Sequence, residues 1–138
     1  MIDLNDGFSD IIPNSGKYAK AQDYVLISDD ICHIRINRSY DEVVKYFGNT
    51  CSIMANGDAS IIVLVRGNDR RIGSHNKSIS AMQLKERFTG SFGENVHKVF
   101  LDGGWDEDQR GRKVFVLKVN GKREYDADIT YRKLAVKK

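Results

Sequence analysis

The sequence predicts an α+β domain built on a strongly bent antiparallel sheet or small β-barrel with two short helices, in the order ββαββαβββ. Three observations carry this. Strand-length apolar stretches recur along the chain, the longest being Ile61-Ile62-Val63-Leu64-Val65. Two Asn-Gly pairs, Asn56-Gly57 and Asn120-Gly121, fall between such stretches. Only two segments carry helix-start signals. Two short helices cannot cover both faces of so many strands, so the sheet must bend or close on itself.

In chain order, residues 1–23 hold the only proline, Pro13, beside Asn14, Ser15 and Gly16. They read as a loosely ordered N-terminal arm, leaving 24–138 as a single domain. Tyr24 to Ser28 is a strand, Asp29-Asp30 a turn, and Ile31 to Asn37 the returning strand. In the second of these, Cys32, Ile34 and Ile36 alternate with His33, Arg35 and Asn37, which gives one buried face and one wet face. Ser39-Tyr40-Asp41-Glu42 has the form of a capping box, with Val43, Val44 and Phe47 on the inner side of the helix and Gly48 as its stop. Cys51 to Ala55 and Asp58 to Val65 then form a hairpin about Asn56-Gly57, because a two-residue type I′ turn needs positive φ twice.

Arg66 to Ser78 reads as a mobile polar link. Ser80 to Gln83 repeats the capping logic, with Ile79 stapled to Leu84, Phe88 turned inward and a stop near Gly90. Val96 to Leu101 is the next strand, and Asp102 to Arg112 is a long loop. Val114 to Val119 and Lys122 to Tyr131 form a second hairpin about Asn120-Gly121, with a short strand at Leu134 to Val136.

At 138 residues the chain has the size of one domain with a core of its own. Its 41% hydrophobic and 30% charged content is that of a globular protein. No apolar run approaches the ~20 residues that cross a bilayer. The acidic start, Met1 to Asp6, lacks the basic and apolar stretches of a signal peptide. Cys32 and Cys51 each lie in an apolar run and are expected as buried free thiols rather than a disulfide. A cytoplasmic protein without a membrane partner is the expectation.

The net charge of +3 conceals strong alternation. Residues 66–87 hold six Lys or Arg against two acids, and residues 88–108 one Lys against five acids. Residues 109–138 hold ten Lys or Arg against three acids. Basic residues among aromatics on strands suit a nucleic-acid surface, cations meeting phosphates and rings stacking on bases. The expected function is therefore a non-enzymatic nucleic-acid-binding domain. Its contacts would be Arg66, Arg70, Arg71, Lys77, Arg110, Arg112, Lys113, Lys118, Lys122 and Arg123. Lys118 and Arg123 would face each other across the second hairpin.

The alternative is a small interaction or inhibitor protein that docks on a larger partner. Trp105 with Asp106 and Asp108 would form one contact and the basic C-terminal hairpin the other, since tryptophan within a polar rim is a favoured hot spot. A third reading is a small Mg²⁺-dependent nuclease using Asp126 and Asp128, two apart on a strand and thus on one face. The sequence offers no catalytic set, no zinc spacing around His33, His75 or His97, no EF-hand loop and no cofactor fingerprint. An exposed sheet edge would allow a homodimer.

Overall fold

A computed structural model of the chain describes residues 22–125, together with Asp3 and Asn5, and for Lys122 and Tyr125 the backbone only. The strands are β1 (Asp23–Ile27), β2 (Cys32–Arg35), β3 (Thr50–Ala55), β4 (Ile61–Gly73), β5 (Ser78–Ser80), β6 (Val96–Glu107) and β7 (Lys113–Tyr125). The helices are α1 (Tyr40–Phe47) and α2 (Lys85–Phe92), the latter entered through a 3₁₀ turn at Met82–Leu84.

Six strands close an antiparallel barrel in the order β4-β5-β2-β1-β6-β7, with β7 pairing back onto β4. The small barrel with two short helices is thus the architecture. β3 is added to β4 outside the ring. The long β4 makes the closure possible by serving two neighbours in turn. Its first part, Ile61 to Leu64, pairs with β7, and its end, Ile72 and Gly73, pairs with β5. Between them the β3 register jumps from Ser52↔Val65 to Cys51↔Arg70, so Arg66 to Asp69 form a wide bulge. Gly67 is required in this bulge, since a Cβ there would stand 1.9 Å from the Ser52 Oγ.

The period-2 pattern fills the barrel. Val25, Ile27, Cys32, Ile34, Ile62, Leu64, Ile79, Val99, Leu101, Phe115 and Leu117 are all buried in one core, joined by Val43 and Phe47 of α1 and Phe88 of α2. Both cysteines are free and buried. Among the described residues no helix is long and apolar enough to cross a membrane.

Several elements differ from expectation, each for a physical reason. The element order over the described residues is ββαβββαββ, because β5 precedes α2 and β7 is one strand. Asn120-Gly121 makes no hairpin: β7 runs through it. The pairing steps from Leu101↔Val119 to Val99↔Arg123, and Gly121 takes φ +87° inside that bulge. Positive φ was the signal, and a bulge uses it as well as a turn does. Lys118 consequently sits opposite Asp102 and Ile61, not Arg123.

The first Asn-Gly does lie in a hairpin, but in a longer loop. The Asn56 carbonyl accepts from Ala59 N–H, its Oδ1 accepts from Ile61 N–H, and Ala59 holds φ +58°. Arg66 to Gly73 is strand rather than mobile link, and Asp102 to Glu107 continues β6, leaving a tight turn at residues 108–112. Neither helix is closed by a capping box: Ser39 and Leu84 occupy the N-cap positions without a side-chain capping bond. α2 stops at Gly93 rather than Gly90. Ser39 instead turns to the buried Asp23 at the start of β1. Its hydroxyl donates to Asp23 Oδ2, while the N–H groups of Arg38 and Ser39 donate to Oδ1 at 2.8 and 3.2 Å. This carboxylate ties the entrance of α1 to the barrel. The expected third element of the C-terminal region, Leu134 to Val136, and most of the N-terminal arm lie outside the described residues.

Candidate functional site

The run Ile61 to Val65 has no polar face. Ile62 and Leu64 point into the barrel, which leaves Ile61, Val63 and Val65 facing outward. Their neighbours continue this surface: Val63 lies opposite Met54 on β3 and Val116 on β7. Met54 is 63% exposed and Ile61 37%, so aliphatic side chains meet water across three adjacent strands. The tip of the β6–β7 hairpin, Asp106 to Lys113, forms a wall beside them, enclosing an open groove of about 760 Å³.

Tyr46, which lines the groove, belongs to an aromatic cluster that packs on the core and is crowned by cations. Trp105 packs edge-on against Tyr46 (5.3 Å between ring centroids) and Phe115 (4.8 Å), and tilts against Phe47 (5.8 Å). Lys113 Nζ lies 4.4 Å from the Trp105 ring centre and 4.8 Å from that of Tyr46. Arg66 Cζ lies 4.7 Å from the Tyr46 ring centre, and its Nη2 donates to the Tyr46 carbonyl at 3.4 Å. Two cations from distant parts of the sequence therefore share one tyrosine ring. Each cation–π contact at such an exposed site contributes about 0.5–1 kcal/mol. No carboxylate among the described residues comes within ion-pair distance of either cation.

The acids of the groove wall are occupied differently. Asp108 Oδ1 accepts from the N–H groups of Arg110 and Arg112, and Oδ2 accepts from Arg112 Nε at 2.8 Å. These donors hold its carboxyl below the ordinary carboxylate range. Asp106 Oδ1 accepts from the Glu107 N–H at 2.7 Å. Glu107 stands opposite Lys113 in the ladder without closing on it.

The ten cations expected at a nucleic-acid surface are distributed over several places. Arg66, Arg112 and Lys113 line the groove together. Arg70 points to the 3₁₀ turn, donating to the Ser80 carbonyl and to Gln83 Oε1. Arg71 is exposed on β4 opposite Thr50, and Lys77 lies over the Tyr40 ring at the start of α1. Arg110 is exposed in the hairpin turn, Lys118 on the outside of β7, and Arg123 over the Phe92 ring at the end of α2. Lys122 lies in β7, and its side chain is outside the described residues. Trp105, expected at a loop tip, is a half-buried strand residue, whereas Asp106 and Asp108 do line the groove.

Sequence reasoning missed Tyr46, Met54, Val63, Val65 and Val116. The available signal was the unbroken apolar run 61–65, since a strand with no polar alternation has something apolar on both faces. No cluster of three or more metal-ligating side chains occurs among the described residues, and Asp126 and Asp128 lie outside them. Burial pushes both thiols, Cys32 and Cys51, up to about 11, which leaves them protonated at neutral pH. Compared with protein-family models, curated proteins and solved structures, the chain matches none.

Proposed function

We propose that this chain is a protein-docking module that takes a segment of a partner protein in the groove between the β6–β7 hairpin tip and the β3–β4 hairpin. The single observation that carries the reading is the aliphatic floor of exposed Met54 and Ile61 with half-buried Val63, Val65 and Val116, outside an already filled barrel. Apolar surface gathered beside a polar rim marks interaction sites, since covering it releases about 25 cal/mol per Å². The groove wall carries acids as well as cations, which suits a protein segment better than a polyanion.

A photo-crosslinking residue in place of Met54, in cells that produce the protein, tests this. The expected outcome is one discrete protein adduct, lost when Val116→Lys is added and not seen with the crosslinker at Arg71. Adducts to nucleic acid alone, or none, would refute it.

Nucleic-acid binding is the second reading, favoured by the meeting of Arg66 and Lys113 over Tyr46. A mobility shift on mixed DNA and RNA lengths that weakens steeply between 50 and 200 mM salt, as phosphate contacts require, would support it. Absence of any shift at low salt would end it.

A further inference from the structure

β3 stands outside the closed ring and pairs with β4 alone among the described residues. An antiparallel strand bonds each neighbour through alternate residues, so about half of its backbone N–H and C=O groups point away from β4. Exposed edges of this kind are ordinarily blunted by lysine, proline or an inward charge. Thr50-Cys51-Ser52-Ile53-Met54-Ala55 carries none of these. We propose that this free edge pairs antiparallel with β3 of a second copy of the chain, giving a two-fold dimer whose sheet runs from one barrel into the other. This goes beyond the docking reading: it uses the edge of the strand rather than the groove floor, and either can hold without the other.

The chemistry of the strand favours a second copy over an unrelated strand. A two-fold axis sets each side chain near its own copy, so a charge on the strand would meet itself and weaken the pairing. β3 has no charge to repel. Its faces also match themselves, because a two-fold normal to the sheet keeps inward residues beside inward ones. Cys51 is buried, with Ile53 and Ala55 packed on the core, while Ser52 and Met54 face outward. At 63% Met54 is the most exposed large apolar side chain among the described residues, and it sits on this edge strand.

The register follows from the same geometry. Pairing like faces places the axis level with a residue rather than between two. The β4 bulge interrupts the ladder between Cys51 and Ser52, so the regular part of β3 is Ser52 to Ala55. Asn56 is engaged in the hairpin loop, its N–H donating to the Ile61 carbonyl and its own carbonyl accepting from the Ala59 N–H. An axis level with Ile53 sets Ser52, Ile53 and Met54 against Met54, Ile53 and Ser52 of the second copy without enlisting Asn56. The two Met54 residues are then diagonal neighbours, about 7–8 Å apart.

Sedimentation velocity of the full chain over about a hundredfold range of concentration tests this, since a dimer grows by mass action. The expected result is a monomer–dimer equilibrium. Met54→Lys and Met54→Glu should each weaken it about fivefold or more, and mixing the two variants should restore it, because opposite charges then meet across the axis. The near-ultraviolet signal of Trp105 and the thermal midpoint check that both variants are folded. A monomer at every concentration would overturn the proposal. Dimers that form equally well in both variants, or variants that fail to recover on mixing, would overturn the placement of β3 at the axis.

Discussion

At the scale of single residues, two positions carry consequences beyond their size. Asp23 is 1% exposed, and its burial raises the carboxyl above the ordinary value of 3.8 despite the hydrogen bonds it accepts. The folded state therefore binds that proton more tightly than the unfolded chain does. The resulting stability is complete below the unfolded value and fades as pH rises through the folded one. Denaturant titrations of Asp23→Asn and the parent at several pH values should show the parent gaining relative stability as pH falls through the acid range. A difference that grows in the opposite direction would contradict the assignment. Asp23→Ala, which strands the N–H groups of Arg38 and Ser39, should cost about 3 kcal/mol at neutral pH. Gly103 is the second position. A Cβ there would lie 2.6 Å from Phe115 Cζ and 3.1 Å from the Ser39 Oγ, and Phe115 is fully buried. Gly103→Ala should lower stability by about 2 kcal/mol, read from the denaturant midpoint, because the ring has no space to retreat into.

At the scale of elements, the β6–β7 hairpin depends on its turn. Asp108 accepts both the Arg110 and Arg112 N–H groups, so Asp108→Ala should speed amide exchange at these two positions and weaken whatever binds the groove, leaving the core amides slow. The same hairpin shows what a sequence conveys and what it withholds. Val114 to Val119 is legible as a strand from its nearly unbroken apolar run. Its partner is not, because residues 102–107, with two glycines and three acids, carry no apolar period of their own. They become strand through pairing with β7. Arg66 to Asp69 similarly reads as a loop, and is carried as a bulge within β4 by the neighbours on either side. The positive φ expected of both Asn-Gly pairs appears at Gly121 alone, and in the first hairpin it falls on Ala59 instead, so the local signal neither fixes which residue turns nor distinguishes a turn from a bulge. That choice belongs to whichever strands lie alongside. Gly121→Ala should therefore destabilise the barrel by about 1 kcal/mol, measured by thermal melting, without changing which strands pair.

At the scale of the whole molecule, the groove was illegible for the same reason that the barrel was only foreseeable in outline. Arg66 and Lys113 are 47 positions apart in sequence, and only the β4–β7 closure brings them to one tyrosine ring. That closure also makes the core a single unit. Cys32 on β2 and Cys51 on β3 are each wholly buried, and each thiol is raised to about 11. Neither can react until its surroundings open, and the ring couples those openings. β2 reaches β3 through β5 and β4, all hydrogen-bonded in sequence. If the barrel opens as one, both thiols should react with a disulfide reagent at the same slow rate, and that rate should rise in parallel for both with added denaturant. β3 pairs only with β4 among the described residues, so it is the place where this cooperativity is most exposed to failure. Peptide mapping of the labelled protein gives the answer for each cysteine separately. Cys51 reacting well ahead of Cys32 would mean that β3 detaches on its own, and the Met54 side of the groove would then be an opening flap rather than a rigid wall.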